Sequence, residues 1–289
     1  MRDFAPRTIG EALDDTVHLY RRNFRTLAFA AAFTVFPVAL TIGLAQDFYY
    51  RGYFQTVFSD TGAPVPAGPP IGVLVAYMVI LAASGLLVFV RAYFDTAVLA
   101  AAPALVGGGS ASVRQVLRGG WKRWGWYLLA QMLVSVVTGV AGLASIFLLG
   151  VGGLVTSVFV TFTGVITVVE QVDPVTAMSR SLSLVRGSFW RVAGYLLLML
   201  GLTTAFQGAI ASPAALGQLM PALGASDPLT ALLDVPAWWR VLEGVSFGAA
   251  AALTAPFTTL ALFHLYLDIR SRREGMDLVI RARELAQAA

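Results

Sequence analysis

The residues in this chain whose chemistry stands out are ionisable side chains at the ends of long apolar segments. An ionisable group that leaves water costs several kcal/mol, so it is retained there only for a reason. Acids, arginines and a histidine brought together in this way could form a polar vestibule that binds a ligand. The candidate residues are Arg91, Asp95, Glu170, Arg180, Arg186, His264 and Asp268.

The spacing of these residues leaves two interpretations open. Arg91 and Asp95 are four residues apart, as are His264 and Asp268, so each pair shares a helix face and can interact. The seven residues form either a binding cluster or structural pairs whose long side chains reach water. Because no charge lies at the predicted midplane of the bilayer, the structural interpretation is favoured.

Two common motifs of soluble catalysis are absent from the sequence. It contains no GxxxxGK[ST] and no HExxH, and its only histidines are His18 and His264. It also lacks cysteine, which excludes disulfides and thiolate metal sites. We therefore expect a protein that is not an enzyme and that uses no cofactor and no metal.

The elements that must position the candidates are membrane spans. Residues 125–169 carry no charge, whereas about 20 apolar residues already cross a bilayer. The whole chain is 57% hydrophobic and 12% charged, against about 25% charged in soluble domains. The sequence predicts one all-α membrane domain over residues 1–289 with six spans, at about 27–45, 71–90 (or on to 102), 126–149, 154–169, 192–211 and 242–265.

Short amphipathic helices are predicted beside the spans. Thr8 and Glu11 form a capping box, and Asp173 followed by Pro174 is typical of a helix start. Gln46–Pro70 and Ser212–Ala237 contain several prolines and are predicted to be loops, the second with room for one short helix. The predicted amphipathic helices cover residues 8–24, 110–118, 174–186 and 277–288.

The distribution of basic residues predicts the orientation. With the N-terminus inside, eighteen lysines and arginines lie on the inner side and only Arg51 and Arg240 lie outside. The positive-inside rule then places both termini in the cytoplasm of a bacterial plasma membrane. The expected partners are the bilayer, anionic phospholipids at the cytoplasmic interface and a protein at the cytoplasmic face, whereas nucleic acid is not expected.

An internal repeat is also predicted. Ala12, Leu19, Arg21 and Phe24 align without gaps on Ala177, Leu184, Arg186 and Phe189, and Val113–Trp124 aligns more weakly on Leu13–Phe24. This pattern indicates three consecutive units, each with one amphipathic helix and one hairpin of spans. The alternative is that every interfacial helix before a span has a similar sequence.

Small and polar residues within the spans predict contacts between helices. Gly244 and Gly248 form a GxxxG pattern, for which packing within the chain is favoured over dimerisation. Gln131 and Gln207 are predicted to hydrogen-bond between helices.

Three motifs give the chain a resemblance to a known family. The motifs are Glu170–Arg191, Thr8–Phe24 and Tyr266–Leu278. Together they resemble a bacterial family named the membrane domain of glycerophosphoryl diester phosphodiesterases. The resemblance implies a membrane fold of this type. It does not imply the phosphodiesterase activity, which in fused members belongs to a soluble barrel that no segment outside the predicted spans could hold.

Three functions are consistent with this sequence. The first is a scaffold or accessory subunit that docks partners on its basic cytoplasmic face. The second is binding or transport of lipids or other amphipaths through a cavity open to the cytoplasm. The third, and least supported, is an enzyme that acts on phospholipid head groups.

Overall fold

The computed structural model describes residues 8–58, 70–225 and 236–274. Within these ranges the chain is α-helical and forms no β-strand. Its elements are α1 (Ile9–Arg22), α2 (Phe24–Phe58), α3 (Ile71–Val106), α4 (Val113–Gly120), α5 (Trp124–Ala144), a 3-10 turn (Ile146–Leu148), α6 (Val151–Phe159), α7 (Thr163–Val169), α8 (Pro174–Val185), α9 (Phe189–Leu223) and α10 (Ala237–Glu274).

The described residues contain six helical segments that are long and apolar enough to cross a membrane. This finding confirms the prediction of an all-α protein with six spans. The segments are Phe24–Tyr53, Ile71–Val106, Trp124–Ala144, Val151–Val169, Phe189–Ala214 and Trp238–Glu274.

Several helices extend beyond their predicted ends. α2 continues to Phe58, so the predicted loop was wrong for residues 46–58. Tyr49 lies in the first turn of the extension, where its ring stacks on Tyr53 and contacts Tyr77 of α3, with centroid distances of 6.2 and 5.9 Å. α9 likewise continues to Leu223 through residues predicted to be a loop. The predicted helix at 277–288 lies outside the described residues.

A tight turn joins the third and fourth spans, as the glycine cluster predicts. Leu149 and Gly150 both adopt positive φ, at 54° and 71°, which glycine adopts without steric cost. The Ser145 hydroxyl accepts a hydrogen bond from the Gly152 amide (2.8 Å) across the turn. α5 ends at Ala144, five residues before the predicted boundary, because the turn includes this serine.

The same order of helices occurs three times along the chain. A short helix is followed by two spans in α1–α2–α3, in α4–α5–α6/α7 and in α8–α9–α10. The short helices begin at Thr8, Ser112 and Asp173, and each of these side chains accepts from backbone amides of the first turn. The predicted capping box at Thr8 and the predicted cap at Asp173 are confirmed.

The interval from the cap to the first span is four residues shorter in the second repeat than in the others. Phe24 and Phe189 each open a long helix sixteen residues after the cap, whereas Trp124 opens α5 twelve residues after Ser112. The predicted alignment of these three aromatic residues therefore holds.

The chain forms two compact units. The first contains residues 8–30, 92–202 and 256–274 of the described chain, and the second contains 31–58, 70–91, 203–225 and 236–255. The second unit is packed through small residues: a side chain added at Gly43 would lie 3.1 Å from the Cα of Gly244, and one at Gly248 would lie 3.1 Å from the Phe36 ring. The GxxxG pattern therefore serves packing within the chain, as predicted.

A hydrogen bond between helices adds to this packing. Gln207 of α9 donates to the Thr254 hydroxyl of α10 (2.9 Å), which confirms the prediction for this glutamine. Gln131, in contrast, is exposed.

Positive charge is concentrated in the first unit. In the described part of the chain, only Arg51, Arg91 and Arg240 belong to the second unit. The thirteen others belong to the first unit, which also holds all three short helices. They are Arg21, Arg22, Arg25, Arg114, Arg118, Lys122, Arg123, Arg180, Arg186, Arg191, Arg270, Arg272 and Arg273.

Candidate functional site

Each short helix of the first unit contacts another helix through one small residue. Eight residues after the caps stand Thr16, Gly120 and Ser181, all of them buried. The Thr16 hydroxyl lies 2.9 Å from Nδ1 of His264 on α10. A side chain added at Gly120 would lie 2.9 Å from the Ala97 side chain on α3, so only glycine allows this approach.

Ser181 forms hydrogen bonds with the backbone on both sides of a break in the fourth span. Between α6 and α7 the helix is interrupted at residues 160–162. The Ser181 hydroxyl donates to the Phe159 carbonyl (2.8 Å) and accepts from the Phe162 amide (3.2 Å). Backbone groups freed by a break in an apolar environment must find partners, and this side chain supplies them.

Together these contacts form a closed cycle around the three repeats. α4 contacts α3, the return span of the first repeat, and α8 contacts α6 and α7, the return span of the second. α1 contacts α10, the return span of the third repeat. Each short helix therefore contacts the return span of the repeat before it, and the short helix of the first repeat contacts that of the third. The three predicted repeats thus share a pattern of contacts as well as an order of helices.

An arginine near the start of the first span of each repeat also hydrogen-bonds to the return span of that repeat or to the residues at its end. Arg22 donates to the Leu105 carbonyl (2.5 Å), and Arg123 donates to the Gln171 carbonyl (2.8 Å). Arg191 instead donates to the Asp268 carboxylate (3.0 Å). In the third repeat this contact is therefore an ion pair, whereas in the first and second repeats the arginine bonds to a neutral backbone carbonyl.

Glu170 is the centre of the first ion-pair network. It caps the C-terminal end of α7, and its Oε1 accepts from the Tyr266 hydroxyl (2.5 Å). Its Oε2 forms an ion pair with Nε of Arg180 on α8, although the geometry of this contact is not that of a hydrogen bond. A second arginine, Arg270, places its Nη1 3.7 Å from Oε1. One carboxylate therefore joins α7, α8 and α10.

The network continues through Glu274. Arg180 Nη2 and Arg270 Nε donate to its two oxygens, at 2.6 and 2.8 Å. The Glu170 carboxylate raises the pKa of Arg180 above its usual range, so this guanidinium stays charged at every pH the protein meets. Alternating charges therefore fasten α8 to the end of α10.

Asp268 forms a second network on α10. Its side chain is only 3% exposed and accepts from Arg191 (3.0 Å) and from Arg272 one turn later (3.1 Å). A buried carboxylate requires such partners, because a buried charge without them is strongly destabilising. The two arginine side chains are partly exposed, so the positive charges of this network lie nearer the surface than the buried carboxylate.

The other candidate residues lie in separate environments. Asp95 is buried, and it accepts from the hydroxyls of Thr259 (2.6 Å) and Tyr127 (3.4 Å). Arg91 belongs to the second unit, where it donates to the Ala255 carbonyl (3.2 Å). The Arg186 side chain is exposed, and its carbonyl accepts from Arg273 (2.5 Å).

Of the seven candidates, the structure brings Glu170 and Arg180 into direct contact and places Asp268 in the adjoining network on α10. The important residues that sequence reasoning did not single out are Ser181, Tyr266 and Glu274. Arg270 could have indicated the last two, because they lie four residues before and after it on the same helix face. Among the described residues, no group of three or more histidine, aspartate or glutamate side chains is arranged to hold a metal.

This geometry defines a polytopic membrane protein whose short helices are fastened by ion pairs and hydrogen bonds to the ends of its spans. No protein-family model, no curated protein and no solved structure matches the chain. The resemblance to the membrane-domain family therefore stays a prediction.

Proposed function

We propose that this protein is a membrane scaffold that docks a protein partner on the exposed charged face of α1. Asp14, His18 and Arg21 are all exposed, and their spacing of four and three residues places them on one helix face. This face displays both signs of charge, which can pair with a complementary protein surface and fix its register.

The observation that carries the proposal is the rigid attachment of the opposite face. Ala12, Thr16 and Leu19 are buried, and Thr16 reaches His264 on α10. The capping box, with its hydrogen bond of 2.7 Å from the Thr8 amide to Glu11, holds the start of the helix. A fixed helix that presents a charged face costs a partner little ordering on binding.

The ion-pair networks favour a scaffold over an enzyme. The carboxylates of Glu170 and Asp268 are held by arginines, and Asp95 accepts from two hydroxyls. Acids used in this way stabilise helix positions, whereas a general acid or base must reach a substrate. This supports the structural interpretation of the candidate cluster.

The test is affinity purification of the tagged, full-length chain from native membranes in mild detergent. A docked partner is expected at a stoichiometric ratio with the wild type and is expected to be lost from the double charge reversal Asp14→Lys with Arg21→Glu. Ser179→Lys is the control, because Ser179 is exposed on α8 and the change adds a charge away from α1. No stoichiometric partner, or equal capture by all three proteins, would contradict the proposal.

We further propose the orientation in which the short helices face the cytoplasm of a bacterial plasma membrane. The concentration of basic residues in the first unit supports it, since the positive-inside rule places such residues on the cytoplasmic side. The chain lacks cysteine, so single-cysteine variants report one site each. A membrane-impermeant thiol reagent added to intact cells is expected to leave Ser179→Cys unlabelled until the cells are opened.

A further inference from the structure

α4 and the turn after it carry charge of one sign only. From residue 96 to residue 169 the sequence contains no acidic residue, and its four basic residues all lie between 114 and 123. Arg114 and Arg118 are exposed and four residues apart, which places them on one face, and Lys122 is exposed in the turn after α4. α1 and α8, in contrast, include or adjoin acidic residues.

The opposite face of α4 is fixed to α3. Val116 is only 1% exposed, and Gly120 approaches Ala97 as closely as a glycine allows. The Leu117 carbonyl accepts a hydrogen bond from the Tyr93 hydroxyl of α3 (2.6 Å). The two arginines are therefore held on the side of α4 that faces away from α3.

An exposed tryptophan lies beside these charges. Trp121 is 70% exposed, and its ring contacts Tyr93 edge-on and Trp124 at a tilt, each with a centroid distance of 6.3 Å. The third span begins at Trp124, directly after Lys122 and Arg123. Tryptophan favours the boundary between headgroups and acyl chains, because its ring is apolar with one polar N–H.

We propose that Arg114, Arg118, Lys122 and Trp121 form a binding surface for anionic phospholipid headgroups. The guanidinium groups pair with lipid phosphates, for which their fork geometry is suited, and the lysine adds a point charge. Trp121 lies at the level where the headgroups end. The surface differs from the proposed protein-docking face on α1, so either proposal can fail without the other.

The test uses the purified full-length chain and a defined lipid. Native mass spectrometry of the protein in detergent is run with phosphatidylglycerol and, separately, with zwitterionic phosphatidylcholine. The wild type is expected to retain phosphatidylglycerol preferentially, and Arg114→Gln with Arg118→Gln is expected to weaken retention by roughly tenfold or more. Added salt is expected to weaken it as well, because salt screens exposed charges.

Two comparison variants make the result specific. Arg25→Gln with Arg186→Gln removes the same charge from exposed positions at the start of α2 and after α8, and it is expected to keep wild-type retention. Arg114→Lys with Arg118→Lys keeps the charge and is expected to retain most of the lipid. Melting temperatures measured in parallel identify any variant that has lost its fold.

Several outcomes would overturn the proposal. The first is equal retention of the two lipids by the wild type. The second is equal loss in both glutamine pairs, which would indicate a general effect of net charge. The third is complete displacement of the lipid by millimolar inorganic phosphate, which would indicate a site for a free anion.

Discussion

The short helices α8 and α4 begin in the same way but use their arginines differently. Both are capped by a side chain at the first turn, and both place a small buried residue eight positions later. In α8, Arg180 lies between the carboxylates of Glu170 and Glu274, whereas Arg118 of α4 is exposed. The comparison shows that one local design can either fasten a helix or display charge, depending on whether acids lie on the neighbouring helix ends.

Removal of the most buried acid is expected to have the largest effect on the fastened side. Asp268→Ala should lower the free energy of unfolding by about 3 kcal/mol, because it leaves Arg191 and Arg272 without their carboxylate. Thermal melting of the purified protein measures this loss. The exposed Asp14→Ala is the control, with an expected change below about 0.5 kcal/mol, and equal melting of both variants would contradict the assigned role.

Removal of the hydroxyl at the break in the fourth span is expected to have the next largest effect. Ser181→Ala should destabilise the protein by about 2 kcal/mol, because a buried carbonyl and a buried amide lose their partner. Ser183→Ala on the same helix is the control, since this exposed hydroxyl bonds only to the Arg180 carbonyl. If the two serine variants melt at the same temperature, the break does not depend on Ser181.

A matched pair of arginine variants tests the comparison directly. Arg180→Ala should cost about 1–2 kcal/mol, less than Asp268→Ala because Arg180 is partly exposed and the acids it leaves can be hydrated. Arg118→Ala should change stability by less than about 0.5 kcal/mol, because its charge lies in solvent. Equal destabilisation by both changes would remove the distinction between the two helices.

The smallest expected effect is the pH dependence of the α8 cap. Hydrogen bonds from the Thr176 hydroxyl and amide and from the Val175 amide lower the pKa of Asp173 below its ordinary value of 3.8. Because folding lowers this pKa, the stabilisation is complete above the ordinary value and is lost as the pH falls through the lowered one. Asp173→Asn should therefore melt slightly below the wild type at neutral pH, and the difference should disappear as the pH falls through the lowered pKa of Asp173.

The sequence allowed prediction of features that depend on nearby residues. The caps at Thr8 and Asp173 and the apolar spans are local signals, and all of them appear in the structure. The extension of α2 to Phe58 was missed, because the aromatic residues after residue 46 were interpreted as an interfacial loop rather than as a helix end that packs on Tyr77.

The sequence did not predict which residues of the ion-pair networks contact each other. The hydrogen bonds of Arg180 to Glu274, Tyr266 to Glu170 and Arg191 to Asp268 join residues 94, 96 and 77 positions apart. Such contacts depend on how helices that are distant in sequence pack together, which no local spacing encodes. The break at residues 160–162 was hidden for a related reason: the apolar residues around it resemble an uninterrupted span, and its polar partner lies on another helix.

The shortening of α4 leaves its contact with α3 in place. Gly120 stands eight residues after Ser112, as Thr16 and Ser181 do after their own caps, so the four missing residues fall between Gly120 and Trp124. Their loss brings the start of the third span closer to the contact without turning Gly120 relative to the start of α4. The outward direction of Arg114 and Arg118 is therefore set by residues that precede the shortened stretch, and it does not depend on the length of that stretch.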